Sequence, residues 1–143
     1  MRLVLKIKKR SKKMAHTWND VVRHLETTYK TTREGDLIKI VFVYPDKQDR
    51  TQLVLVDHEQ KSDKLLVEVL SRVGEIPPGY VYKALEVIGK RYFVGLEKIG
   101  EKYFVRITLN MNYVPLSDIG AMVELVGRTA DDLEQMYVGG DVN

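Results

Sequence analysis

The side chains that carry chemistry here are three histidines and a scatter of carboxylates. His16, His24 and His58 lie far apart, and only Asp57-His58-Glu59 sets an imidazole between two acids. Imidazole and carboxylate suit zinc and other divalent ions. Three adjacent residues do not all point one way, however. With no further ligand beside it, the run reads as a solvated hairpin turn, and no metal or cofactor is expected. Nucleophilic catalysis needs a nucleophile beside an oriented base. Cysteine is absent and there is no G-x-S-x-G. A P-loop and a dinucleotide fingerprint are missing too, the ten glycines being scattered at turns. The chain reads as a non-enzymatic module.

Charge is the next signal. Residues 1–13 carry seven cations (Arg2, Lys6, Lys8, Lys9, Arg10, Lys12 and Lys13) and no acid. Removing these from the chain's 23 basic residues leaves 16 against 20 acidic ones, a net of −4. The basic character therefore belongs to a short tail ahead of a mildly acidic domain. Such a tail can bind phosphates, with an affinity that falls steeply with salt. A nucleic-acid-binding protein acting through Arg2 to Lys13 is thus the alternative reading. Lys102-Tyr103-Phe104-Val105-Arg106 has aromatic residues like those of an RNA-recognition strand, but lacks the small residues between them. The bland readings of the tail are a loose terminus or an extension ahead of a start at Met14. Leu3, Leu5 and Ile7 alternate, so an edge strand is a third.

At 143 residues and 44% hydrophobic content the chain suits one domain with a sizeable core. No apolar run approaches the roughly 18 residues of a membrane span. No secretory signal is read at the N-terminus, and a cytoplasmic location is expected. The domain is read as residues 14–138, with 139–143 as a loose end.

The elements follow from periodicity. Thr17 caps a first helix whose stripe is Trp18, Val21, Val22, Leu25 and Tyr29. His24 sits beside that stripe and reads as a boundary residue. Gly35-Asp36 ends the helix. Three strands follow, Leu37 to Tyr44, Arg50 to Val56 and Lys64 to Val73, with Asp57 to Asp63 as the second turn. Hairpin-length connections predict an antiparallel meander. Leu37, Val41 and Val43 make the second face of the first strand apolar as well, which predicts cover on both sides.

Pro77-Pro78-Gly79 opens a short helix to about Lys90, with Val81, Ala84, Leu85 and Ile88 inward. Tyr92 to Ile99 and Lys102 to Met111 form a hairpin, with Tyr103, Val105, Ile107 and Leu109 facing the core. Ser117 caps a last helix carrying Ile119, Met122, Val123, Val126, Ala130, Leu133 and Tyr137 at helical spacing. The fold class is α+β, in the order α-β-β-β-α-β-β-α, with five strands in all, a meander of three and a hairpin of two. The apolar side chains left over are Tyr80, Val87, Tyr92 and Phe104, and these are the candidate partner or dimer contacts.

That order resembles the type III secretion chaperones of the Tir-chaperone (CesT-like) kind and the YbjN-type bacterial domains. The resemblance covers about residues 16–138. It rests on the opening helix Thr17–Tyr29, the Pro77-Pro78-Gly79 break before a short helix, and the run from Ala84 through Arg91-Tyr92-Phe93-Val94-Gly95 and Tyr103-Phe104-Val105-Arg106-Ile107 to the long closing helix. It implies a five-stranded antiparallel sheet with helices packed on it, a homodimer, often formed through the middle helix and adjoining strands, and binding of extended protein segments on apolar patches.

Overall fold

The computed structural model describes residues 16–138. The tail cations and the last five residues lie outside the described residues. The element order is α1 (Trp18–Thr28), β1 (Thr31–Glu34), β2 (Leu37–Tyr44), β3 (Arg50–Lys61), β4 (Lys64–Gly74), α2 (Val81–Gly89), β5 (Gly95–Ile99), β6 (Lys102–Asn110) and α3 (Leu116–Tyr137). All pairings are antiparallel, in the order β1-β2-β3-β4-β6-β5.

The class is α+β, as expected, but the sheet has six strands rather than five. The extra one is β1. α1 ends at Thr28, Tyr29 turns extended, and Thr31–Glu34 folds back on Ile40 to Leu37 around Gly35. Gly35 has φ +61, which a glycine adopts without steric cost.

β3 also runs past Val56 to Lys61, so Asp57 to Lys61 is strand and not turn. Its ladder with Leu65 to Glu68 holds it extended, and the chain turns at Ser62-Asp63. β5 begins at Gly95 rather than Tyr92. α3 begins at Leu116 with Pro115 as its cap residue, and Ser117 makes no capping bond. Thr17 does cap α1. The Asp20 N–H donates to Thr17 Oγ1 at 3.2 Å, and the Thr17 N–H to Asp20 Oδ2 at 2.9 Å.

The helices gather on one face of the sheet. Leu25, Ile38, Val54, Val56, Val67, Val69, Val105, Ile119, Val123, Ala130 and Leu133 are wholly buried between the layers. α3 lies close against the strands at Gly127. A Cβ there would stand 2.9 Å from Val54 Cγ2 and 3.0 Å from the Tyr44 hydroxyl.

The other face is open. Val41 is 60% exposed and Val43 54%, against the expectation that both sides of β2 are covered. On α2 the inward set also differs. Ala84 and Ile88 are buried with Val87 packed against the core, while Leu85 is exposed. Among the described residues no helix is long and apolar enough to cross a membrane.

Candidate functional site

Strand alternation separates Asp57-His58-Glu59. His58 faces the helical layer and stacks on Trp18, with ring centroids 4.1 Å apart. Asp57 and Glu59 face the open side. Among the described residues no His, Cys, Asp or Glu cluster fits a metal ion.

The buried polar groups converge instead on the last turns of α3. Asp131 is fully buried and receives Lys47 Nζ at 2.8 Å and Arg50 Nε at 3.1 Å. Asp132 is held by Lys47 and by Arg91 Nη2 at 2.8 Å. Arg91 Nη1 also donates to Thr129 Oγ1 at 3.2 Å. Arg128 bonds Asp46 at 2.8 Å and lies over the Tyr44 ring, 4.4 Å from its centroid. Burial, with Asp131 nearby, pushes the Tyr44 phenol well above its ordinary value, so it stays protonated. Burial alone would raise the Asp132 carboxyl, but the bonds from Lys47 and Arg91 outweigh it and hold the group low. These carboxylates spend their acceptor capacity on cations of the same chain, and the network ties the turn before β3 and the segment before β5 to α3.

The segment that Arg91 anchors leads straight into exposed rings. Tyr92 is 82% and Phe93 72% exposed, with centroids 6.5 Å apart. Phe93 has φ +76. For a bulky side chain that region costs on the order of 1–3 kcal/mol and persists only where the surroundings enforce it. Tyr80, Tyr82 and Leu85 are exposed on and beside α2, so one stretch of chain carries a belt of five large apolar side chains.

The four contact residues read from the sequence fall in three places. Tyr80 and Tyr92 lie in the belt, Tyr80 stacking on Tyr137 at 5.7 Å. Val87 is half-buried against the core. Phe104 is half-buried on the open sheet face, opposite Arg72 of β4 and Glu97 of β5.

The sheet has an irregularity of its own, between β3 and β4. β3 pairs with β4 only as far as Val54↔Ser71, whereas β4 continues on β6 to Gly74. Side chains bridge the gap. Gln52 Nε2 donates to Ser71 Oγ at 2.8 Å and to the Arg72 carbonyl at 2.7 Å, and Ser71 Oγ donates to the Leu53 carbonyl at 2.6 Å. A depression of about 360 Å³ sits over this seam, lined by Thr51, Gln52, Leu53, Arg72, Phe104 and Glu134 among others.

Sequence reasoning missed Tyr82 and Phe93 as exposed rings and the acids of α3, and it read Val41 and Val43 as covered where they are exposed. Tyr82 was legible as the side of α2 opposite Ala84 and Ile88. Asp131 adjoins Ala130 on the apolar stripe, where an acid signals a buried partner.

No protein-family model matches this chain, and no curated protein does.

Proposed function

We propose that this chain is a non-enzymatic protein-binding module, chaperone-like or regulatory, that works as a homodimer and holds a segment of a protein partner on the belt around α2. The single observation that carries the reading is the pair Tyr92 and Phe93, two rings in solvent on a strained backbone. Strain of this kind collects at ligand-contacting sites. Exposed aromatic residues in a cluster are the common anchors of protein interfaces.

The chemistry of the belt defines its occupant. Lys83 and Lys90 flank it and form no ion pair among the described residues. The fitting partner is an apolar segment that carries carboxylates.

The test is selection of displayed peptides against the full chain, followed by titration of the winners. Acid-flanked apolar peptides are expected, and the Tyr92→Ser/Phe93→Ser double variant should bind them at least tenfold more weakly with an unchanged melting temperature. Equal binding by the double variant, or no binder tighter than millimolar, sinks the reading.

A further inference from the structure

Main-chain hydrogen bonding alternates along an antiparallel ladder. One residue turns its N–H and C=O to the neighbouring strand, and the next turns them away. Just past the end of β6 the Met111 N–H donates to the Leu65 carbonyl of β4 at 2.9 Å. Residues of the same parity in β6, Tyr103 and Val105 among them, therefore face β4 with their main chain. Lys102, Phe104 and Arg106 face β5, where their partners are Ile99, Glu97 and Gly95. The turn at Gly100-Glu101 agrees, because a two-residue hairpin closes on a mutually bonded pair, here Ile99 and Lys102. Leu96 and Lys98 are left with their N–H and C=O groups turned away from β6. β5 is the last strand of the sheet, and among the described residues no main-chain bond from another segment reaches these groups.

We propose that this edge takes up an extended segment of the protein partner as an added strand, hydrogen-bonded to Leu96 and Lys98. The inference rests on the protein-binding reading above and extends it from the exposed rings to the main chain.

The free groups themselves define the occupant. They come as a donor and an acceptor on each of two residues about 6.8 Å apart, twice the rise of a strand. An extended main chain matches that spacing, and addition of a strand to a sheet edge is a recurrent way to bind a peptide. The edge also continues from the belt. Gly95 follows Tyr92, Phe93 and Val94 directly, so a segment paired along β5 leads on to both rings. Charge agrees. Lys98 is exposed on this strand and, like Lys83 and Lys90, forms no ion pair among the described residues. The segment is thus the same apolar, carboxylate-bearing one that the belt calls for. A depression of about 520 Å³ beside Lys98, lined by Ile76, Pro77, Val81 and Tyr103 among others, can seat one of its side chains. The opposite edge of the sheet, Thr31–Glu34, is polar on both faces and adjoins no such belt.

The experiment is amide exchange read by NMR on the full chain, alone and saturated with the tightest peptide from the displayed selection. Alone, Leu96 and Lys98 should exchange about tenfold or more faster than Glu97 and Ile99, and with peptide they should slow by about as much. Thr31 and Arg33, on the far edge, should not change. Lys98→Pro removes the outward N–H and leaves the ladder to β6 intact, a place where an edge strand accepts proline. It should bind the peptide about tenfold more weakly than Lys98→Ala, which loses only the side chain.

Leu96 and Lys98 amides that stay fast in the complex overturn the added strand, and the belt reading survives if Tyr92→Ser/Phe93→Ser still weakens the peptide. Slow exchange of both amides in the free chain also overturns it, and a slowing that grows with protein concentration gives the edge to a second copy instead. Equal binding by Lys98→Pro and Lys98→Ala overturns it as well. If Lys98→Pro fails to fold, the wild-type exchange decides alone. Absence of any binding peptide removes both readings.

Discussion

Arg91 Nη2 and Asp132 Oδ2 stand 2.8 Å apart, an ion pair that fastens the segment before β5 to the last turns of α3. The Arg91 guanidinium reaches Thr129 as well, so two bonds fix the residue immediately ahead of the exposed rings. Arg91 is therefore a positioning residue for Tyr92 and Phe93.

Arg91→Ala should loosen that segment while leaving the core intact. Amide exchange at residues 92–95 is expected to speed up by tenfold or more, and global stability to fall by only about 1 kcal/mol, the size of a partly exposed pair. Hydrogen exchange read by mass spectrometry checks this. Unchanged exchange at 92–95 would mean that the strained turn holds itself.

The pH dependence at Asp132 has a definite sign. Its folded carboxyl titrates below the ordinary value of 3.8. The stability it contributes is therefore fully present above that value and is lost as pH falls through the lower, folded pKa. The gap between wild type and Asp132→Asn should be flat from pH 5 to 8, the range over which a free carboxyl of pKa about 3.9 stays ionised, and should close in more acid solution. Urea melts at stepped pH measure it, and a gap that widened on acidification would contradict the assignment.

Asp131→Ala removes the fully buried acid that Lys47 and Arg50 share. Two cations with little exposure are then left short of their partner. Breaking one side of a buried pair typically costs about 3–5 kcal/mol, a large share of a domain's total of roughly 5–15 kcal/mol. Thermal melts should show a much lower midpoint or insoluble protein. A loss under about 1 kcal/mol would show that the network is held from elsewhere.

Gly127→Ala probes the seat of α3 on the sheet. The new methyl meets Val54 at 2.9 Å and the Tyr44 hydroxyl at 3.0 Å. Overpacking of this kind costs about 1–3 kcal/mol, which outweighs the roughly 1 kcal/mol that alanine gains over glycine in a helix. A denaturant midpoint above wild type would reverse this account. Val123→Asp, inside the same interface and wholly buried, should unfold the domain or leave it insoluble.

The sequence was most legible where periodicity was long. α3 repeats its stripe over 22 residues, and the alternation of β6 placed Val105, Ile107 and Leu109 inward as found. β1 was illegible because Thr31-Thr32-Arg33-Glu34 is polar on both sides, and pairing with β2 makes it a strand. The far half of β3 read as a turn for the same reason. In the nine-residue α2 a stripe holding Leu85 and one holding Val87 fit the spacing almost equally, and docking chose the second. The α3 network joins residues more than 80 positions apart, a separation over which no local pattern extends. Phe93 was hidden because a left-handed backbone at a non-glycine is a tertiary constraint.

The gap between β3 and β4 beyond Val54↔Ser71 has a mechanical consequence. Past that point the β1–β2–β3 and β4–β6–β5 halves are joined by the Gln52 amide and the Ser71 hydroxyl in place of a main-chain ladder. Side-chain bonds rotate and re-form more easily than a strand can peel. The two halves are clasped there from outside the sheet, because α3 holds Arg50 on one side and Arg91 on the other through Asp131 and Asp132, like a book whose loose spine is kept shut by its cover.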